Sequence, residues 1–158
     1  MGLDMYLYLE KYQSRLPIKG EDTEGFYPPE LKDIQKSHEK IGHLSKMTKY
    51  KVGYWRKVNC VHQFFVDRCA NGEDDCRPVY VGLEELEELK TRCEKVLKKH
   101  ALAEDLLPTQ EGFFFGSQEY DEYYFHDLQY TLDIINPVID FLRNENNTSW
   151  SCYYEASW

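Results

Sequence analysis

Both ends of this chain alternate. Near the start, Leu3, Met5, Leu7 and Leu9 interleave with Asp4, Tyr6, Tyr8 and Glu10. At the end, Trp150, Cys152, Tyr154 and Ala156 interleave with Ser151, Tyr153, Glu155 and Ser157. A period of two sends one set of side chains to each face of a strand, so both termini predict strands with one apolar face. Neighbouring terminal strands satisfy each other's backbone groups, and helices then cover the shared apolar face. The expected fold is α+β: a small, mostly antiparallel sheet with N- and C-terminal strands adjacent, packed by about three helices.

Between the ends the period changes. In Val52–Cys69, residues Trp55, Val58, His62, Phe65, Val66 and Cys69 fall at three- and four-residue steps, which predicts a helix stopped by Asn71-Gly72. A short strand is expected at Pro78–Val81. A second helix opens at Leu83, with Leu86, Leu89, Cys93, Val96 and Leu97 as its buried stripe. Ala101–Leu107 reads as a short turn or helix ended by Pro108. Gln110–Gly116 reads as a buried strand through Phe113, Phe114 and Phe115. Tyr120–Arg143 is the third long helix, capped by Ser117 or Gln118 and kinked at Pro137. Residues 13–50 hold Pro17, Gly20, Gly25, Pro28 and Pro29 and read as a variable loop or helical insertion. The length of 158 residues suits one domain spanning 1–158.

Charge narrows the partners. A net charge of −9 repels polyphosphate, so no nucleic-acid polymer and no anionic membrane surface is expected. A small anion needs only one or two local cations and is still allowed. No run reaches the roughly 18 apolar residues of a membrane span. No basic region precedes the first apolar run, so no signal peptide is expected. The five cysteines are odd in number, irregular in spacing and without a CxxC, and read as reduced thiols of a cytosolic protein. His38 and His43 miss the helical spacing of a zinc site, and Asp74-Asp75 lacks the rest of a calcium loop. No metal, cofactor or catalytic motif is expected.

The chemical resource is aromatic. Tyrosine, of which there are 13, offers a flat apolar face and a hydroxyl together. On the predicted helix Val52–Cys69, Trp55, Arg56, Asn59 and His62 offer an indole, a guanidinium, an amide and an imidazole. That set suits a base plus a phosphate. Against it, Trp is usually a core residue, His62 a satisfied core histidine, and Arg56 an ion-pair partner. The segment Phe113–Tyr124 is a second candidate, through Phe115, Ser117, Tyr120 and Tyr124. Its plainer reading is a self-capped helix, since Glu119, Asp121 and Glu122 already complement the dipole.

The runs MGLDMYLYLEKY, VGYWRKVNCVHQFFV, LLPTQEGFFFGSQEYDEYYFHDL and YYEASW resemble a widespread family of small bacteriophage-encoded proteins. The resemblance covers about two-thirds of the chain and omits residues 13–50. It implies a viral sponge that binds a cyclic nucleotide second messenger of bacterial immunity without cleaving it. The ligand lining it implies is Tyr6, Tyr8, Trp55, Arg56, Asn59, His62, Phe115, Ser117, Tyr120 and Tyr124. It further implies a homo-oligomer acting in the cytoplasm of the infected bacterium. Two alternatives stand beside it: a nucleotide hydrolase or phosphodiesterase using His62 and a carboxylate, and a protein-binding inhibitor of a host factor.

Overall fold

In the computed structural model, which describes residues 2–15, 26, 28–31, 44–112 and 115–158, the alternating termini are the two central strands of one sheet. β1 (Asp4–Arg15) and β4 (Trp150–Ser157) pair antiparallel from Asp4↔Ser157 to Lys11↔Trp150. β2 (Leu44–Arg56) flanks β1, and the three-residue β3 (Val79–Val81) flanks β4, giving the order β2-β1-β4-β3. Beyond Lys11 the β1–β2 ladder continues without β4, as a ribbon reaching Arg15↔Leu44. The fold is α+β, and the helices lie on the aliphatic side of this sheet. Leu3, Met5 and Leu7 are fully buried there, together with Tyr154, Cys152 and Ala156. Burying each such Leu or Met stabilises the fold by about 1.5–3 kcal/mol before conformational entropy is counted.

The first expected helix begins seven residues late. Val52–Arg56 belongs to β2, and the helix α1 runs Asn59–Cys69. Tyr50, Val52, Tyr54 and Trp55 favour a pleated strand. Trp55 and Phe65 face the same core from two elements, and that shared destination mimicked helical spacing across the boundary. Lys57 makes the turn with a left-handed φ of 60°, and its N–H donates to the Leu3 carbonyl at 2.8 Å. Residues Gln13–Arg15 and Leu44–Tyr50, expected in the insertion, are strand. A 3₁₀ turn occupies Pro29–Leu31, and residues 16–25, 27 and 32–43 of the expected insertion lie outside the described residues. The strand expected at Gln110–Gly116 is corrected too: its described residues are irregular, with Phe115 in a bend, while Phe113 and Phe114 lie outside them.

α2 (Leu83–Lys98) and the short α3 (Ala103–Leu106) precede α4 (Glu122–Arg143). All five cysteines are free thiols. α4 is capped by Asp121, whose carboxylate accepts the Tyr124 N–H at 3.0 Å, in place of Ser117 or Gln118. Pro137 sits inside this unbroken helix on its exposed side. α4 crosses the sheet at Gly53, where any Cβ would stand 2.5 Å from Ile134 Cγ2, so only glycine lets helix and strand approach so closely. No helix among the described residues is long and apolar enough to cross a membrane.

Candidate functional site

The sheet delivers β2 to one end of the molecule, and there Asn59 fastens an irregular loop to it. Its amide Nδ2 donates to the carbonyls of Phe115 (3.1 Å) and Ser117 (2.8 Å), and its Oδ1 accepts the Gln110 N–H at 3.0 Å. The Tyr124 hydroxyl donates to the Leu107 carbonyl at 2.7 Å, and Thr109 Oγ1 donates to the Gln118 carbonyl at 3.1 Å. Gly116, at φ 94°, lies against the Lys57 turn, where a Cβ would be 3.0 Å from Lys57 Cβ and 3.1 Å from its carbonyl oxygen. Two left-handed residues therefore meet and hold the loop open beside the start of α4. The space between is a cleft of about 230 Å³, with Arg56, Lys57, Ser117, Tyr123, Tyr124 and Asp127 among its walls.

Its electrostatics are divided. Arg56 and Lys57 are exposed, and among the described residues neither has a carboxylate within ion-pairing distance. Across the cleft stand Glu119, Asp121 and Asp127. Asp121 is engaged as the helix cap. Asp127 is not: the nearest basic side chain is that of His126, with Nδ1 4.0 Å away, and partial burial pushes its carboxyl above the ordinary aspartate range, opposed by His126 and reinforced by Asp121. Tyr123 lies one turn earlier on α4 and is 81 % exposed.

The residues named from sequence separate into four places. Arg56, Asn59, Ser117 and Tyr124 line the cleft, although Asn59 and the Tyr124 hydroxyl are engaged in building its wall and are not free to read a ligand. Phe115 and Tyr120 belong to the same loop but sit behind it. Phe115 packs edge-on against His62 at 5.1 Å and Trp158 at 6.1 Å, and Tyr120 packs edge-on against Tyr124 at 5.0 Å.

Trp55 and His62 are corrections. Trp55 lies on β2, not a helix, and alternation along the strand turns its ring into the core while Arg56 points the other way. It is 1 % exposed, 6.2 Å from the Phe65 ring, and its Nε1 donates to Thr131 Oγ1 at 3.0 Å, so no ligand stacks on it. His62 is equally enclosed. Its Nδ1 lies 2.7 Å from the Tyr154 hydroxyl and its Nε2 3.0 Å from Asp74 Oδ2, while Asp74 Oδ1 accepts the Trp158 Nε1–H at 3.2 Å. With both ring nitrogens engaged, His62 ties the last strand to α1 and is not placed to serve a hydrolase.

Tyr6 and Tyr8 occupy the sheet face opposite the core, on which none of the described helices lies, and do not line the cleft. Tyr54 packs on Tyr6 at 5.5 Å, Lys51 Nζ lies 4.3 Å over the Tyr6 ring and Lys49 Nζ 3.9 Å over the Tyr8 ring. The pairing is a cation–π arrangement. Tyr153 and Tyr80 extend the same aromatic face.

Sequence reasoning did not single out Asp127. A usable signal exists: its helical neighbours at three and four residues are Tyr123, Tyr124, Tyr130 and Thr131, none of them a cation to pair with it. Among the described residues no group of three or more His, Cys, Asp or Glu is arranged to hold a metal ion. No protein-family model, curated protein or solved structure matches the chain.

Proposed function

We propose that this protein binds a small nucleotide, a cyclic nucleotide second messenger of bacterial immunity, and sequesters it without cleaving it, as a phage immune-evasion protein in the host cytoplasm. One observation carries this reading. In a chain with 28 carboxylates, Arg56 and Lys57 stand at the mouth of a cleft with no carboxylate partner among the described residues. Cations left unpaired in so acidic a chain suit an anionic ligand group, and a guanidinium grips phosphate through two parallel N–H donors. The cleft supports binding of a single small molecule. Its wall is set by hydrogen bonds between the Asn59, Thr109 and Tyr124 side chains and the main chain before any ligand arrives, which lowers the ordering cost of tight capture.

A second copy of the chain would cover the tyrosine-bearing face of the sheet, on which none of the described helices lies. There Lys49 pairs with Glu10 and Glu155, and Lys51 lies over the Tyr6 ring, so like-charged molecules meet where their repulsion is reduced. The molecular mass in solution tests that assembly.

Titration calorimetry with cyclic dinucleotides tests the ligand reading. Arg56→Ala is expected to weaken binding tenfold or more, as loss of a charge-assisted contact of roughly 1.5–3 kcal/mol implies, with an unchanged melting temperature. Equal affinity in the variant overturns the site.

A further inference from the structure

The cleft has a phosphate end and, opposite it, a carboxylate without a partner of its own strength. Tyr123 and Asp127 are four residues apart on α4, so both project from one helix face as neighbours. Tyr123 offers an exposed ring, and a base stacked on such a ring gains roughly 1–3 kcal/mol whatever its identity. Asp127 adds discrimination. Its carboxylate faces a cleft also walled by Val58, Cys60 and Tyr124 and makes no hydrogen bond among the described residues. An ionised carboxylate accepts two parallel hydrogen bonds and donates none. Of the common bases, guanine presents two adjacent donors on its pairing edge, N1–H and the N2 amino group. Adenine and cytosine each place an acceptor beside their amino donor, and uracil flanks one donor with two carbonyl acceptors.

We propose that the cleft selects guanine, with Tyr123 stacking on the base, Asp127 accepting from N1–H and N2–H, and Arg56 and Lys57 holding the phosphate. This assignment rests on the nucleotide-binding reading above and deepens it. Asp127 is half-buried where it faces the cleft, so a ligand seated there displaces its remaining water, and the ligand that supplies two donors replaces that water best. Rejection of adenine follows from the same logic: its N1 lone pair would face a carboxylate oxygen, and the group would lose its water for nothing.

The test compares cyclic di-GMP with cyclic di-AMP by calorimetry on the wild-type chain and on Asp127→Asn. The wild type is expected to bind cyclic di-GMP at least tenfold more tightly. Asp127→Asn turns one acceptor into a donor and is expected to remove that preference, weakening cyclic di-GMP and strengthening cyclic di-AMP, because a carboxamide opposes one of guanine's two donors and matches the N6 donor and N1 acceptor of adenine. The Asp127 side chain makes no hydrogen bond in the fold, so the variant is expected to fold. Equal binding of both nucleotides by the wild type overturns guanine selection and leaves the nucleotide site standing. A guanine preference that survives in Asp127→Asn overturns the role of Asp127. Failure of both nucleotides to bind overturns the site itself.

Discussion

The indole of Trp55 donates to the hydroxyl of Thr131 at 3.0 Å, across the seam between β2 and α4. The Thr131 hydroxyl in turn donates to the main-chain carbonyl of Asp127 at 2.7 Å. A continuous chain of hydrogen bonds thus runs from the edge strand β2 to the helical turn that presents Asp127 to the cleft.

Thr131→Val keeps the shape of that residue and removes the acceptor. The buried indole N–H is then left unsatisfied, at a cost of about 1–3 kcal/mol. Chemical denaturation should show a lower midpoint with an unchanged slope. Trp55→Phe combined with Thr131→Val should cost less than the two single changes added, because neither partner is then orphaned.

Asp74 joins the two ends of a second chain, accepting from Trp158 and facing His62, which in turn meets Tyr154. Asp74→Ala leaves the buried imidazole and the indole N–H without that partner. The expected loss is about 1–3 kcal/mol in denaturant unfolding. Trp158 fluorescence should shift in the folded state, because its ring also rests on Phe115. Ligand affinity should stay the same, since neither Asp74 nor His62 lines the cleft.

The carboxyl of Asp127 binds its proton more tightly in the folded state than in the unfolded one, because burial disfavours its charge. Its contribution to stability is therefore full below the unfolded aspartate value of about 3.9 and is lost as the pH rises through the higher folded value. Asp127→Asn never carries the charge. The variant should melt above the wild type at neutral pH, and the difference should vanish on acidification to about pH 3, which thermal melts at the two pH values will show.

Much of the fold could be read from the chain because the relevant signals are local. Period two at both termini gave adjacent central strands, and the 3.6-residue stripes of α2 and α4 matched their buried faces. The turn at Lys57 was hidden. A lysine in a left-handed conformation carries no glycine or proline to announce it, and it is held there by the Leu3 carbonyl, which is distant in sequence. The site was half legible for the same reason. Arg56, Ser117 and the α4 tyrosines were visible as residue types, but reading Trp55 onto a helix put it beside Arg56. On a strand the two part to opposite faces. Asn59 looked like a ligand-reading amide, and only the carbonyls of Phe115 and Ser117 show that it holds the wall.

The sulfur atoms offer a last use of the packing. Cys60, Cys93 and Cys152 are enclosed by the core, and burial raises all three thiols, Cys60 and Cys152 to about 12. At neutral pH the folded molecule shows an electrophile almost no thiolate at these positions. Alkylation of Cys93 and Cys152, which lie away from the cleft, is therefore a stopwatch for cooperative opening of the fold, and a ligand that stabilises the folded state should slow it.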